Sequence, residues 1–235
     1  MVNYPPWPLH LSYGDRELNL FGPLADLTLA AAPDLGTLVY QPWNPGEFPK
    51  IDQVERLLAV GLGLRQMRLD ITRAAGGVRP RILLGGPVQS MGWLPGLVEE
   101  ALCSLRLNAP LFLIGSCGGA AGVVADLLVH GTERADPVMT EECAARVVTV
   151  ERDGVKESAY EPARALAAKL ELPFDARRPV AEEIAMIGKR GLANALCNGL
   201  DDAENRELLV AKDGRRIMEL VLKGLASLPA ALPAF

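Results

Sequence analysis

Histidine is nearly absent from this chain: His10 and His130 are the only two in 235 residues, and neither sits in a ligand-like cluster. Four cysteines, Cys103, Cys117, Cys143 and Cys197, show no Cys-x-x-Cys spacing. Both shortages argue against a zinc site. Cysteines scattered through apolar stretches read instead as reduced thiols, which predicts a cytoplasmic protein. The chain does not start with a basic segment and an apolar run, so no secretory signal is expected. Nor is any apolar segment long and uninterrupted enough to cross a bilayer, so a soluble protein with no membrane partner is predicted. A basic excess is missing too: 24 Lys and Arg stand against 29 Asp and Glu, a formal net charge of −5. That balance argues against nucleic acid as a partner, although a local basic pocket stays open. No internal repeat or low-complexity linker interrupts the chain. A single domain over 1–235 is expected, with a frayed tail at 229–235.

Hydrophobic residues make up 49% of the sequence, ample for a closed core. Residues 9–14 read as a short strand ending in a turn. An apolar run at 22–32 is helix-compatible, and 36–40 reads as a second strand. A Pro- and Gly-rich loop follows to Lys50, then a helix from Ile51 to about Leu69. Arg81 to Leu84 is a compact apolar run entering Gly85-Gly86, a buried strand. Pro95 suits the start of a helix continuing to about Leu107. Leu111 to Ile114 is the next buried strand, and Ala120 to Leu128 the helix after it. Strand, loop and helix thus recur twice in succession, which predicts an α/β, Rossmann-like, doubly wound and mainly parallel sheet with helices on both faces. Further on, 145–157 reads as a hairpin turning at Arg152-Asp153-Gly154. Helices are expected at 161–170, 180–196 and 215–225, with a short strand at 208–211. Asp201 and Glu204 have the spacing of a capping box.

Two glycine turns carry the candidate chemistry. Gly85-Gly86 precedes the Pro95-Gly96 helix start, and Gly115-Ser116-Cys117-Gly118-Gly119 precedes the next helix. Glycine permits positive φ and close approach of backbone to a ligand, and a helix N-terminus suits phosphate or carboxylate. Neither turn is a Walker loop or a Gly-x-Gly-x-x-Gly fingerprint. Their placement at adjacent strand ends is the stronger signal, because ligands of open α/β sheets sit there. Glu99 and Glu100 fit a ligand site and equally fit ordinary helix capping. Cys117 lies near a helix N-terminus, yet His130 falls toward that helix's far end. Cys117 therefore reads as a small side chain beside the ligand, not as a nucleophile. Arg65, Arg68, Arg73, Arg79 and Arg81 form a basic stretch from which one side chain can clamp a phosphate.

Gly-Leu-Arg-Gln-Met-Arg, Arg-Ile-Leu-Leu-Gly-Gly, Pro-Gly-Leu-Val-Glu-Glu-Ala-Leu and Leu-Phe-Leu-Ile-Gly-Ser-Cys-Gly-Gly-Ala-Ala, taken together, resemble the SLOG superfamily. That superfamily is related to the cytokinin-activating phosphoribohydrolases. The stretch from Asn198 to Asn205 and on through Leu220 to Leu225 resembles the C-terminal signature of SLOG domains found beside TIR or Sir2-type effectors in antiphage systems. The resemblance spans Leu62–Leu128 and Leu192–Leu225 and is weaker before residue 60. It implies binding or sensing of a nucleotide or ADP-ribose-derived signal, no cofactor, a separate effector protein as partner, and a homo-oligomer. The ligand-binding set it implies is Ser12, Gly14, Arg68, Gly85, Gly86, Pro95, Gly96, Glu99, Gly115, Ser116, Cys117, Gly118 and Gly119. The alternative it carries is hydrolysis of a nucleotide N-glycosidic bond, with Glu100 as the catalytic carboxylate. Pro95-Gly96 and Glu99-Glu100 match only the outer parts of the hydrolases' Pro-Gly-Gly-x-Gly-Thr-x-x-Glu loop. The resemblance therefore weighs toward binding.

Overall fold

The computed structural model describes residues 2–3, 26–27, 53–74, 77–89 and 92–229. In chain order, β1 (Val2–Asn3) and β2 (Asp26–Leu27) form a short parallel bridge. Helix α1 (Gln53–Thr72) leads into an antiparallel pair, β3 (Arg73–Ala74) and β4 (Gly77–Val78). Strand β5 (Arg81–Leu84), helix α2 (Gly96–Arg106), strand β6 (Leu111–Ile114) and helix α3 (Gly119–His130) then make one βαβα run. Helix α4 (Glu141–Val147) precedes an antiparallel hairpin of β7 (Thr149–Arg152) and β8 (Val155–Ser158). Helices α5 (Tyr160–Lys169), α6 (Arg177–Gly188), α7 (Leu192–Leu196), α8 (Asp202–Val210) and α9 (Gly214–Ser227) follow. The chain divides into two units, Met1–Asp70 with Met91–Trp93 and Ala145–Phe174, and Ile71–Ser90 with Leu94–Ala144 and Asp175–Phe235.

In the first unit the hairpin turns where the sequence predicts it. Asp153 (φ 51°) and Gly154 (φ 79°) both adopt positive φ, the requirement of a tight two-residue hairpin turn. Val54, Ala159 and Ala163 are buried together, with Phe174 and Leu166 packed on them. Trp93 is 2% exposed and stacks on Phe174 with ring centroids 4.6 Å apart. The indole also lies against Gly61 of α1, where an added Cβ would enter its ring. Gly122 of α3, in the second unit, differs: a Cβ there would meet only the Gly115 carbonyl oxygen, at an ordinary 3.5 Å. The same substitution should therefore have opposite signs at two helical glycines. Gly61→Ala is expected to cost about 1–3 kcal/mol by overpacking, and Gly122→Ala to add about 0.5–1 kcal/mol through helix propensity. Urea unfolding reads both, and a stabilising Gly61→Ala would refute the packing account.

The second unit is organised on the parallel pair, in register from Arg81↔Leu111 to Leu84↔Ile114. All four β6 residues are buried. On β5, Leu83 is 4% exposed while Ile82 and Leu84 are 47% and 54% exposed. The two strands are neighbours as predicted, but coverage on both faces holds for β6 alone. Among the described residues the molecule is mostly helical, and its longest parallel sheet is this pair. The strands read at 9–14 and 36–40, which the doubly wound sheet requires, lie outside the described residues. Asp26–Leu27 bridges Val2–Asn3 where the apolar run 22–32 predicts helix; so short a run leaves helix and strand unseparated.

Phe112 and Ile114 pack with Leu200, Leu208, Leu220 and Val221. Two fully buried amides tie this C-terminal segment to β6. Asn198 Nδ2 donates to Leu111 O (2.9 Å) and Asn205 Oδ1 (2.8 Å), and Asn198 Oδ1 accepts from Leu200 N–H (3.1 Å). Asn205 Nδ2 donates to Leu200 O (3.2 Å). The capping box forms: Asp201 accepts from Glu204 N–H, and Glu204 from Asp201 N–H. It starts α8, which continues to Val210, so the strand expected at 208–211 is helix through Val210. A four-residue apolar run fits either state, and the cap upstream decided it. The helix expected at 180–196 is two, α6 and α7, parted at Gly191 with φ 85°. Gly188 of α6 rests on the Leu128 backbone of α3, where a Cβ would collide. Arg106 of α2 pairs with Glu183 (2.7 Å) and Asp175 (2.9 Å), and those hydrogen bonds hold its guanidinium more firmly charged.

Candidate functional site

The shared direction of β5 and β6 brings both glycine turns to one end of the pair. Gly85 (φ 57°) and Gly86 (φ 85°) leave β5. A 3-10 turn, Gly115–Cys117, leaves β6 and passes through Gly118 (φ 65°) and Gly119 (φ 59°) into α3. The turns are joined by backbone hydrogen bonds. Ala120 N–H donates to Gly86 O (3.0 Å) and Ala121 N–H to Gly85 O (2.9 Å). A Cβ on Gly119 would lie 2.9 Å from the Gly85 carbonyl carbon, so only glycine lets the strands' exits close on each other. These two amides of the α3 first turn are thus already satisfied by carbonyls. The expectation of phosphate donors at two helix N-termini therefore narrows toward α2.

Helix α2 begins beside Gly86, where a Cβ would come 2.6 Å from the Leu97 side chain. Pro95 is its N-cap and offers no side-chain hydrogen bond to the helix. Pro at this position cannot donate, and its φ of −57° orients the chain for the first turn. Glu99 N–H reaches Pro95 O at 3.1 Å. Among the described residues, the N–H groups of Gly96, Leu97 and Val98 have no backbone acceptor. Such a helix end carries a partial positive charge suited to an anion.

The predicted carboxylates have separate fates. Glu99 is 4% exposed within the first turn of α2. Glu100 forms an ion pair with Arg81 (2.5 Å), whose other nitrogen donates to Thr72 Oγ1 (2.8 Å). Arg81 opens β5, so its backbone lies about 13 Å, four strand residues, from the glycine end. This engagement gives Glu100 a structural role.

Ser116 is engaged through its hydroxyl, which donates to Ala211 O. A Cβ on Gly115 would lie 2.8 Å from Ala125 Cβ and 2.9 Å from Leu209 O, so its glycine serves packing. Cys117 is exposed, and a Cβ on Gly85 would lie 4.0 Å from its own Cβ. Gly118 is exposed, and among the described residues none but its chain neighbours comes within 4 Å of a Cβ position. Cys103 and Cys143 are buried, and partial burial pushes the Cys197 thiol up. Gly85, Gly86, Pro95, Gly96, Cys117, Gly118 and Gly119 thus gather around the two turns. Arg68 is 8% exposed and belongs to the first unit. Ser12 and Gly14 lie outside the described residues.

The sequence reading missed a cleft of about 620 Å³ between α3 and α8, which reaches Gly118 and includes Arg206 and Lys212. Its signal was hidden by reading 208–211 as strand. On a helix, Arg206, Leu209 and Val210 fall at i, i+3 and i+4 and share a face. Among the described residues no helix is long and apolar enough to cross a membrane, and no His/Cys/Asp/Glu group has the makings of a metal site.

A family model described as SLOG cluster2 matches residues 1–208, extending the resemblance through the region before residue 60. Neither the curated proteins nor the solved structures compared with the chain gave a match. With nearly the whole chain covered, from its first residue into α8, it belongs to the SLOG cluster2 family.

Proposed function

We propose that this chain is a nucleotide-sensing module that holds a phosphate-bearing ligand of the ADP-ribose class at the glycine turns. The observation that carries this reading is the convergence of Gly85-Gly86, Gly118 and the α2 N-terminus at the carboxyl end of a parallel pair. Open α/β sheets bind their ligands at that end, and glycine keeps the backbone approachable. Membership of the SLOG family supports a nucleotide-related ligand. The resemblance to SLOG domains beside TIR or Sir2-type effectors makes antiphage signalling the specific version of the proposal. Hydrolysis is disfavoured because the carboxylate assigned to it, Glu100, is engaged by Arg81.

Cys117 provides a built-in reporter, being the one exposed cysteine of the four. Iodoacetamide should label it first, and saturating ADP-ribose should slow that labelling by about tenfold. Cys197, half-buried with its thiol pushed up, should react slowly at the same rate with or without ligand. Calorimetry with ADP and ADP-ribose establishes binding itself. Failure of both nucleotides to bind, or unchanged Cys117 labelling at saturation, would overturn the assignment.

A further inference from the structure

The cleft between α3 and α8 adjoins the glycine turns and carries features they lack. Its walls are apolar, Ala125 and Val129 from α3 and Leu209 and Val210 from α8. Arg206 and Lys212 line it against a single acid, Asp126. Among the described residues none of these three charges has an ion-pair partner, whereas nearby Arg216 is engaged by Glu207 and Glu219, and Lys223 by Glu204. An apolar slot with an excess of unpaired positive charge suits a base or sugar that carries phosphate. Gly118 belongs both to the turn and to the cleft, and the open space around it leaves a path from one to the other. Gly122 on the cleft wall points the same way: packing alone would accept a Cβ there, so the missing side chain is explained by the space it leaves.

We propose that this cleft is the second lobe of the ligand site, taking the far half of a two-ended ligand. The ligand class is then a nucleoside diphosphate extended by a second sugar or base, rather than a mononucleotide or simple diphosphate. Arg206 and Lys212 donate to the second sugar or base, which the α3–α8 walls cover, while the phosphates stay at the glycine turns. This inference rests on the nucleotide-sensing reading above and adds to it the place where the far half of the ligand lies.

The test compares ADP with ADP-ribose by calorimetry on the wild type and on the double variant Arg206→Glu with Lys212→Glu. Both side chains are exposed, so the fold is retained, and thermal unfolding verifies it. The wild type should bind ADP-ribose about tenfold or more tightly than ADP. The double variant should lose that preference, weakening ADP-ribose about tenfold while ADP moves less than about threefold. ADP carries the greater negative charge, so a purely long-range effect would weaken ADP at least as much. Equal weakening of the two, no weakening, or a wild type without preference overturns the second lobe and leaves the sensing reading standing. A wild type that binds neither nucleotide overturns both.

Discussion

Replacing Gly118 by aspartate should weaken ADP-ribose binding about a hundredfold or more, equivalent to roughly 2.7 kcal/mol. The position is exposed, and among the described residues none but its chain neighbours lies within 4 Å of where the new Cβ would sit, so the carboxylate enters the space assigned to the ligand. There it occupies volume and repels a phosphate across a short distance. The backbone complicates a simple comparison. Gly118 has φ 65° and ψ −149°, a region essentially reserved for glycine, so any side chain there adds about 1–3 kcal/mol of strain. Gly118→Ala carries that strain without the charge and is the necessary reference. The aspartate variant should bind much more weakly than the alanine variant, while urea unfolding gives both similar stabilities. Equal affinities for the two variants would mean that no phosphate lies at this turn, and that the glycines serve only to close the strand exits.

Asn198→Leu should destabilise the protein by about 3–5 kcal/mol, a loss at the upper end of what single substitutions produce. Leucine is close in size but cannot hydrogen-bond. The change leaves Leu111 O without its amide donor, Leu200 N–H without its acceptor and Asn205 Oδ1 without its partner, all in a fully buried cluster. Each buried polar group left unpaired costs about 1–3 kcal/mol. Asn205→Leu should be costly for the same reason. The double variant should cost less than the sum of the two, because the first substitution already breaks their shared hydrogen bond. Urea unfolding with an unchanged slope provides the measurement. A loss under about 1 kcal/mol would show that the amide pair is not what holds the C-terminal helices to β6.

Elements whose information is local were legible in the residues. The α8 capping box follows from Asp201 and Glu204 three apart, and the β7–β8 turn from Asp153-Gly154. The buried strands at 81–84 and 111–114 follow from compact apolar runs ending in glycine. The resemblance to the SLOG superfamily was read largely from the same strand-end motifs, whose glycines serve the backbone geometry of the turns themselves.

Other features depended on partners distant in the chain. Nothing near Gly119 announces that its missing side chain makes room for Gly85 and Gly86, thirty-odd residues upstream. The amides of Ala120 and Ala121 look available for phosphate until those carbonyls arrive. Glu100 reads as a cap or a catalyst until Arg81 engages it. Arg206 and Lys212 have no common meaning until α8 packs beside α3 and leaves a cleft between them. Hydrogen-bond donors and charges are counted against every group that folding brings within reach, wherever it lies in the chain. Local residues are enough to set the backbone conformations of the turns and helix starts. Which polar groups those turns still hold open to a ligand was settled by packing, because satisfaction is a property of neighbours in space.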